Sequence, residues 1–118
     1  MLVQLSWAML ALIHAMPALA LFRPALLTQI YGVEAGGTTY LLLHHRAALF
    51  LGVFLLCAWS VFATAPRPAA AVMTAISMLT FLLLYWQSGG PPALRTIAIA
   101  DCVGIVPLLV VSWAAFKP

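Results

Sequence analysis

YLLLHHRAALFLGVFLLCAWSVFA, residues 40–63, decides the fold. It holds no acid, and its only basic side chains, His44, His45 and Arg46, sit close to its start. A helix rising 1.5 Å per residue needs about 20 mainly apolar residues to cross a hydrocarbon core. The stretch satisfies that length. Lipid offers the backbone no hydrogen bonds, so such a run must pair its amides internally as a helix.

Working outward from this span, three more stretches qualify. Ala65-Pro66-Arg67-Pro68 is a tight turn, and residues 69–87 form the next span. Ser88-Gly89-Gly90-Pro91-Pro92 stops it, and residues 96–116 form the last. Upstream, residues 3–22 form the first span, ended by Arg23-Pro24, where the cation seeks the interface and proline resists helix continuation. The connector from Arg23 to Thr39 is longer. Its Pro24–Tyr31 part is expected to be a short interfacial helix ended by Gly32, with Gly36-Gly37 resetting the chain direction. Short loops make neighbouring spans antiparallel, so the expected fold is all-α, an antiparallel bundle of four transmembrane helices in one integral membrane domain, 1–118.

Composition agrees. Of 118 residues, 66% are hydrophobic and only 6% charged, against roughly 25% charged in a soluble domain. The net charge of +3 comes from scattered cations that make no basic stripe, which argues against nucleic-acid binding. Cys57 and Cys102 fall near opposite faces of the bilayer and are not expected to pair. Tyr40, Tyr85 and Trp86 mark one interface, with Trp7, Trp59 and Trp113 toward the other. Ala18-Leu19-Ala20 fits a small-x-small cleavage pattern. Against cleavage, no Lys or Arg precedes this stretch, and His14 and Pro17 interrupt its apolar run.

Four spans place both termini on one side, A, with the Arg67 turn. Side B carries the long first connector and the Gly-Pro connector. With Arg46 and Arg95 set aside as engaged in the bundle, Arg67 and Lys117 make side A slightly the more basic. The positive-inside rule then points to cytoplasmic termini.

Ionisable groups inside a span are costly and mark function by default. Here they gather in the side B half: His14 on span one, His44, His45 and Arg46 on span two, Asp101 on span four, and Arg95 at its mouth. Arg46 is the natural partner of Asp101, since a guanidinium can grip a carboxylate with two hydrogen bonds. Two readings follow. The pair is an internal lock that fixes helix neighbours, or it lines a ligand cavity together with the histidines. Helical spacing gives inward stripes through Trp7, Leu10, His14 and Ala18 on span one and through Asp101, Gly104, Leu108 and Ser112 on span four. On span two the expected inward stripe is His45, Leu49, Gly52, Leu56 and Trp59. Arg46 also points inward, and His44 lies nearer the lipid. Tyr40 is a secondary member of the cluster. Thr74, Ser77 and Thr80 on span three are read as hydroxyls bonded to their own helix.

His14 and His45 on different helices could supply two axial haem ligands. A buried, hydrogen-bonded histidine is the simpler reading, and no cofactor is expected. A zinc site lacks its third and fourth ligands. No strained serine elbow or phosphate-cradling glycine loop is present.

The embedded His14, the Tyr31-Gly32-Val33 connector, the opening Leu42-Leu43-His44-His45-Arg46-Ala47 of span two, and Leu94-Arg95-Thr96 with Ala100-Asp101 in span four resemble a family of small bacterial four-span proteins. That family looks like a branch of the DoxX-like group. The resemblance covers nearly the whole chain. It implies the inner membrane and, from DoxX members associated with quinone-linked oxidation, a redox accessory role. Some members carry the name phosphopantetheine adenylyltransferase. That enzyme is a soluble α/β nucleotidyltransferase with a His-x-Gly-His motif, which His44-His45-Arg46 does not replace.

The expected function is therefore an accessory or binding subunit that holds a lipid-like or quinone-like molecule, in contact with membrane lipid and within a homo-oligomer or larger membrane complex. The alternative is a structural or assembly protein locked by Arg46 and Asp101. A proton or solute pathway would need an oligomer, and enzymatic action on a membrane substrate is the least supported reading.

Overall fold

The computed structural model describes residues 1–117. It contains four long helices, α1 (Leu2–Leu19), α3 (Thr38–Phe62), α4 (Arg67–Gln87) and α5 (Arg95–Phe116), and a short helix, α2 (Ala25–Tyr31). A 3₁₀ turn, Pro92–Leu94, leads into α5. No strand occurs among the described residues. Each long helix is apolar and long enough to cross a membrane, so the chain is an all-α bundle of four candidate spans.

The connectors do what their residues dictate. α1 ends at Leu19, earlier than the apolar run to Phe22, and the chain continues in i→i−3 turns, Ala20 N–H to Pro17, Leu21 N–H to Ala18 and Phe22 N–H to Leu19. Arg23 N–H then closes the turn on the Leu19 carbonyl at 3.0 Å. Gly32 ends α2 in the left-handed conformation, φ 69°, donating to Thr28 at 2.9 Å. At the end of α4, Gly89 N–H bonds Trp86 O at 3.1 Å and Gly90 N–H bonds Tyr85 O at 3.0 Å, the paired bonds of a Schellman cap. At the opposite end, Arg67 Nε–H reaches the Ser60 carbonyl at 2.9 Å and fastens the α3–α4 turn.

In cross-section α1 packs on α3 and α5, and α4 packs on α3 and α5, so α1 and α4 face each other across the diagonal. The larger core cluster unites Trp7, Leu10, Val53, Cys57, Met78 and Val111. Cys57 Sγ lies 3.3 Å from Thr74 Oγ1, tying α3 to α4, and Cys102 is exposed, so the cysteines stand apart. A second cluster of Ala20, Leu27 and Ala47 joins the end of α1 to α2 and α3. Lipid tails are as apolar as leucine, so association between spans depends on close packing at small residues. Gly104 is such a point, because a β-carbon there would lie 2.6 Å from Met78 Cε and 2.7 Å from Ile13 Cδ1.

Trp7, on the inward stripe expected for α1, is wholly buried in the core, whereas Trp59 and Trp113 are exposed. One expectation changes. On α3 the inward face carries Ala47, Val53, Cys57 and Ser60, while His45, Leu49, Gly52 and Trp59 turn outward. The face bearing small groups admits α1 and α4, which leaves the bulkier stripe to lipid.

Candidate functional site

The Arg46 head lies among aromatic faces. Its guanidinium carbon is 4.8 Å from the Phe50 ring centre, 5.8 Å from Phe81 and 5.9 Å from Tyr31. Those distances are in the range of cation–π attraction. Phe50 stands four residues after Arg46 on the same helix face, Tyr31 comes from α2, and Phe81 from α4. Arg46 forms no side-chain hydrogen bond with the protein among the described residues.

Asp101 is buried, 8% exposed, on α5. It too has no hydrogen-bond partner among the described residues. The expected bidentate ion pair does not form, since no arginine nitrogen comes within 4.0 Å of a carboxylate oxygen among the described residues. Instead Arg46 and Asp101 both line one cavity of about 340 Å³ in the side B half. α1 contributes Ile13, His14 and Pro17 to its wall, and α5 contributes Thr96, Ile97 and Ala100. Gln29 and Ile30 of α2 contribute from the connector end. Pro17 has no N–H, so it gives the Ile13 carbonyl no helical donor beside this space.

His14 is 2% exposed and held at both nitrogens. Nδ1–H donates to the Leu10 carbonyl at 2.9 Å, which leaves Nε2 to accept from Ser77 Oγ at 3.2 Å. The second bond crosses the bundle diagonal from α1 to α4. The imidazole is thereby fixed in one orientation, with its ring 5.9 Å from that of Phe50. Of the hydroxyls on α4, Thr74 turns to the neighbouring α3, Ser77 reaches across the diagonal to α1, and Thr80 is exposed.

Tyr31 belongs to the connector. Burial raises its phenol above the ordinary value, while Arg46 pulls it down and Asp101 pushes it further up. The α2 helix thus brings a hydroxyl within electrostatic reach of both charged heads.

The histidine pair on α3 is reversed relative to expectation. His44 turns inward, and its Nε2–H donates to the Leu21 carbonyl at 2.9 Å, just past the end of α1. Tyr40 lies beside it, with ring centres 6.3 Å apart. His45 is exposed and does not line the cavity that His14 lines. The reason is local: the free Leu21 carbonyl captures the imidazole that faces α1, and its neighbour, about 100° around the helix, is turned to the outside. Arg95 is likewise exposed and lies outside the cavity. No group of three or more metal-ligating side chains converges among the described residues. These placements separate the two histidines by experiment. His44→Ala should cost about 1 kcal/mol through loss of the Leu21 bond, and His45→Ala less than about 0.5 kcal/mol, read as shifts in thermal unfolding in mild detergent.

The site that emerges is a small apolar chamber with two unsatisfied, oppositely charged heads and a fixed imidazole. Phe50, Phe81 and Gln29 were not singled out from sequence, and Tyr31 entered only as part of the connector motif. Among them, Phe50 carried a spacing signal toward Arg46, at i+4. Comparison with protein-family models, with curated proteins and with solved structures returns no match to this chain.

Proposed function

We propose that this chain is a small integral membrane binding or accessory subunit whose side B cavity holds the polar head of a lipid-like or quinone-like molecule. The observation that carries the reading is the pair of charged heads, Arg46 and Asp101, facing one cavity without closing on each other. Charges withdrawn from water are costly unless paired. A polar ligand group between them would satisfy both. The apolar remainder of the wall, including Ile13, Phe50 and Ile97, suits the hydrophobic body of such a molecule. A purely structural role for the pair has less support, because an internal lock requires direct contact.

The resemblance to the DoxX-like group supports an accessory role in a bacterial inner membrane, and the charge balance between loops supports cytoplasmic termini. Adenylyl transfer is not part of the proposal, since no phosphate-cradling loop is present.

Asp101→Asn tests the reading at nearly constant volume. The variant should fold like the wild type yet retain co-purified lipid or quinone at least about tenfold less, since a hydrogen bond to a charged group is worth roughly 1.5–3 kcal/mol. Native mass spectrometry of the full chain released from mild detergent measures this. Equal ligand retention by a well-folded variant would refute the proposal.

A further inference from the structure

The charges in the cavity define what sort of head it takes. Arg46 presents a guanidinium with its nitrogens free of protein partners, and Asp101, a residue only 8% exposed, presents a carboxyl that is also free and keeps some accessible surface. Of the other polar wall groups, His14 is satisfied at both nitrogens, while Gln29 and Thr96 are exposed and carry no charge to balance either head. A purely anionic head would pair with Arg46 and leave Asp101 repelled. A purely cationic head would pair with Asp101 and leave Arg46 alone among its three rings. A carbonyl-only ring could accept from Arg46 but would give an ionised Asp101 no donor.

We infer that the cavity recognises a zwitterionic lipid head carrying a phosphate and a primary ammonium, with the phosphate against Arg46 and the ammonium against Asp101. Such a head neutralises both charges while adding none to the bilayer interior. Arginine's fork matches phosphate oxygens, and the ammonium can donate up to three N–H bonds to the carboxylate. The fit extends to place. Asp101 lies six residues into α5, about 9 Å from its side B end at 1.5 Å per residue. A lipid head is therefore drawn slightly below the interface. The rim residues Met16 and Thr96 are exposed, so acyl chains can leave the cavity between α1 and α5 toward the hydrocarbon.

This inference rests on the cavity being a head-group site, and the test separates the two ideas. The detergent-solubilised full chain is titrated with phosphatidylethanolamine, phosphatidylcholine, phosphatidylglycerol and a short-chain ubiquinone analogue. Free glycerophosphoethanolamine serves as competitor, to distinguish head-group capture from annular lipid. Phosphatidylethanolamine should bind about tenfold more tightly than either other phospholipid. Phosphatidylglycerol lacks the ammonium, and the methyl groups of phosphatidylcholine abolish its N–H donors. Stepwise N-methylation of the lipid should erode binding without altering the protein, which keeps the test valid should a variant misfold. Asp101→Asn should shrink the preference to within about twofold, and Arg46→Gln should weaken all three phospholipids. Equal binding of the three phospholipids, or a preference for phosphatidylglycerol, overturns the inference. Selective binding of the quinone analogue alone overturns it while leaving the cavity as a ligand site. Failure of every ligand to bind overturns both.

Discussion

Gly104→Leu should destabilise the bundle by about 3 kcal/mol, at the upper end of what overpacking costs. Its first added carbon already falls 2.6 Å from Met78 Cε and 2.7 Å from Ile13 Cδ1. Both are tips of flexible side chains, one on α4 and one on α1. Alanine can therefore be absorbed by small rotations, and its better helix propensity, worth up to about 1 kcal/mol, offsets part of the strain. Gly104→Ala should thus lie within about 1 kcal/mol of wild type. Leucine adds three further carbons at a point where Met78 is wholly buried and cannot swing outward. α5 must then move off α1 and α4. Because Ile13 also lines the cavity, the displacement should reduce ligand retention along with stability. Thermal unfolding in mild detergent, followed by circular dichroism, measures the stability effect. Wild-type stability in Gly104→Leu would mean that the three helices do not meet at this glycine.

The spans were legible because membrane crossing is a constraint of length and apolarity, both written directly in the chain. The short helix ending at Gly32 was legible for a similar reason, since a glycine after a brief amphipathic run can take the left-handed cap. Faces were harder to read. Around a soluble helix, polarity marks the outside. Around a spanning helix, lipid and protein interior are equally apolar, so the stripe through His45, Leu49, Gly52 and Trp59 looked no less suited to packing than the one through Ala47, Val53, Cys57 and Ser60. On α1 the reading succeeded because His14, a polar group needing partners, fell on the same stripe as Trp7 and Leu10. On α3 two adjacent histidines offered opposite answers. The carbonyl that chose between them, Leu21, belongs to a turn about 23 residues upstream whose position no local pattern encodes.

The site was legible as a depth and not as a set of contacts. Counting residues from span ends placed His14, Arg46 and Asp101 in one half of the bilayer, and those three do line one cavity. The ion pair was the natural inference from opposite charges at matching depth. It fails because Arg46 has competitors that only the fold assembles: Phe50 from its own helix, Phe81 from α4 and Tyr31 from the connector. Aromatic residues are common in membrane spans and connectors, and apart from the i+4 spacing of Phe50 nothing marked these three as neighbours of Arg46. With the guanidinium held by rings, the two charges remain apart, and what looked like a lock becomes a cavity with two unsatisfied poles.

Trp7→Ala should cost about 3 kcal/mol or more, whereas Trp7→Phe should stay within about 1 kcal/mol of wild type. Trp7 is wholly buried in the larger core cluster, against residues of the neighbouring helices. Truncation to alanine removes the whole indole and leaves a cavity whose walls lose their dispersion contacts. Its indole Nε1 is also the one buried side-chain nitrogen or oxygen without a hydrogen-bond partner among the described residues. Trp7 stands only five residues into α1, so in a separated helix the same N–H would lie near the wet interface and find water. Packing the bundle dries it, at a cost of roughly 1–3 kcal/mol. Phenylalanine keeps most of the aromatic volume and carries no donor to dry. The volume it loses and the penalty it removes therefore act in opposite directions. Unfolding midpoints of the two variants, compared in the same detergent, separate the terms. A Trp7→Phe cost close to that of Trp7→Ala would show that the indole N–H is satisfied in the folded bundle and that its burial there carries no penalty.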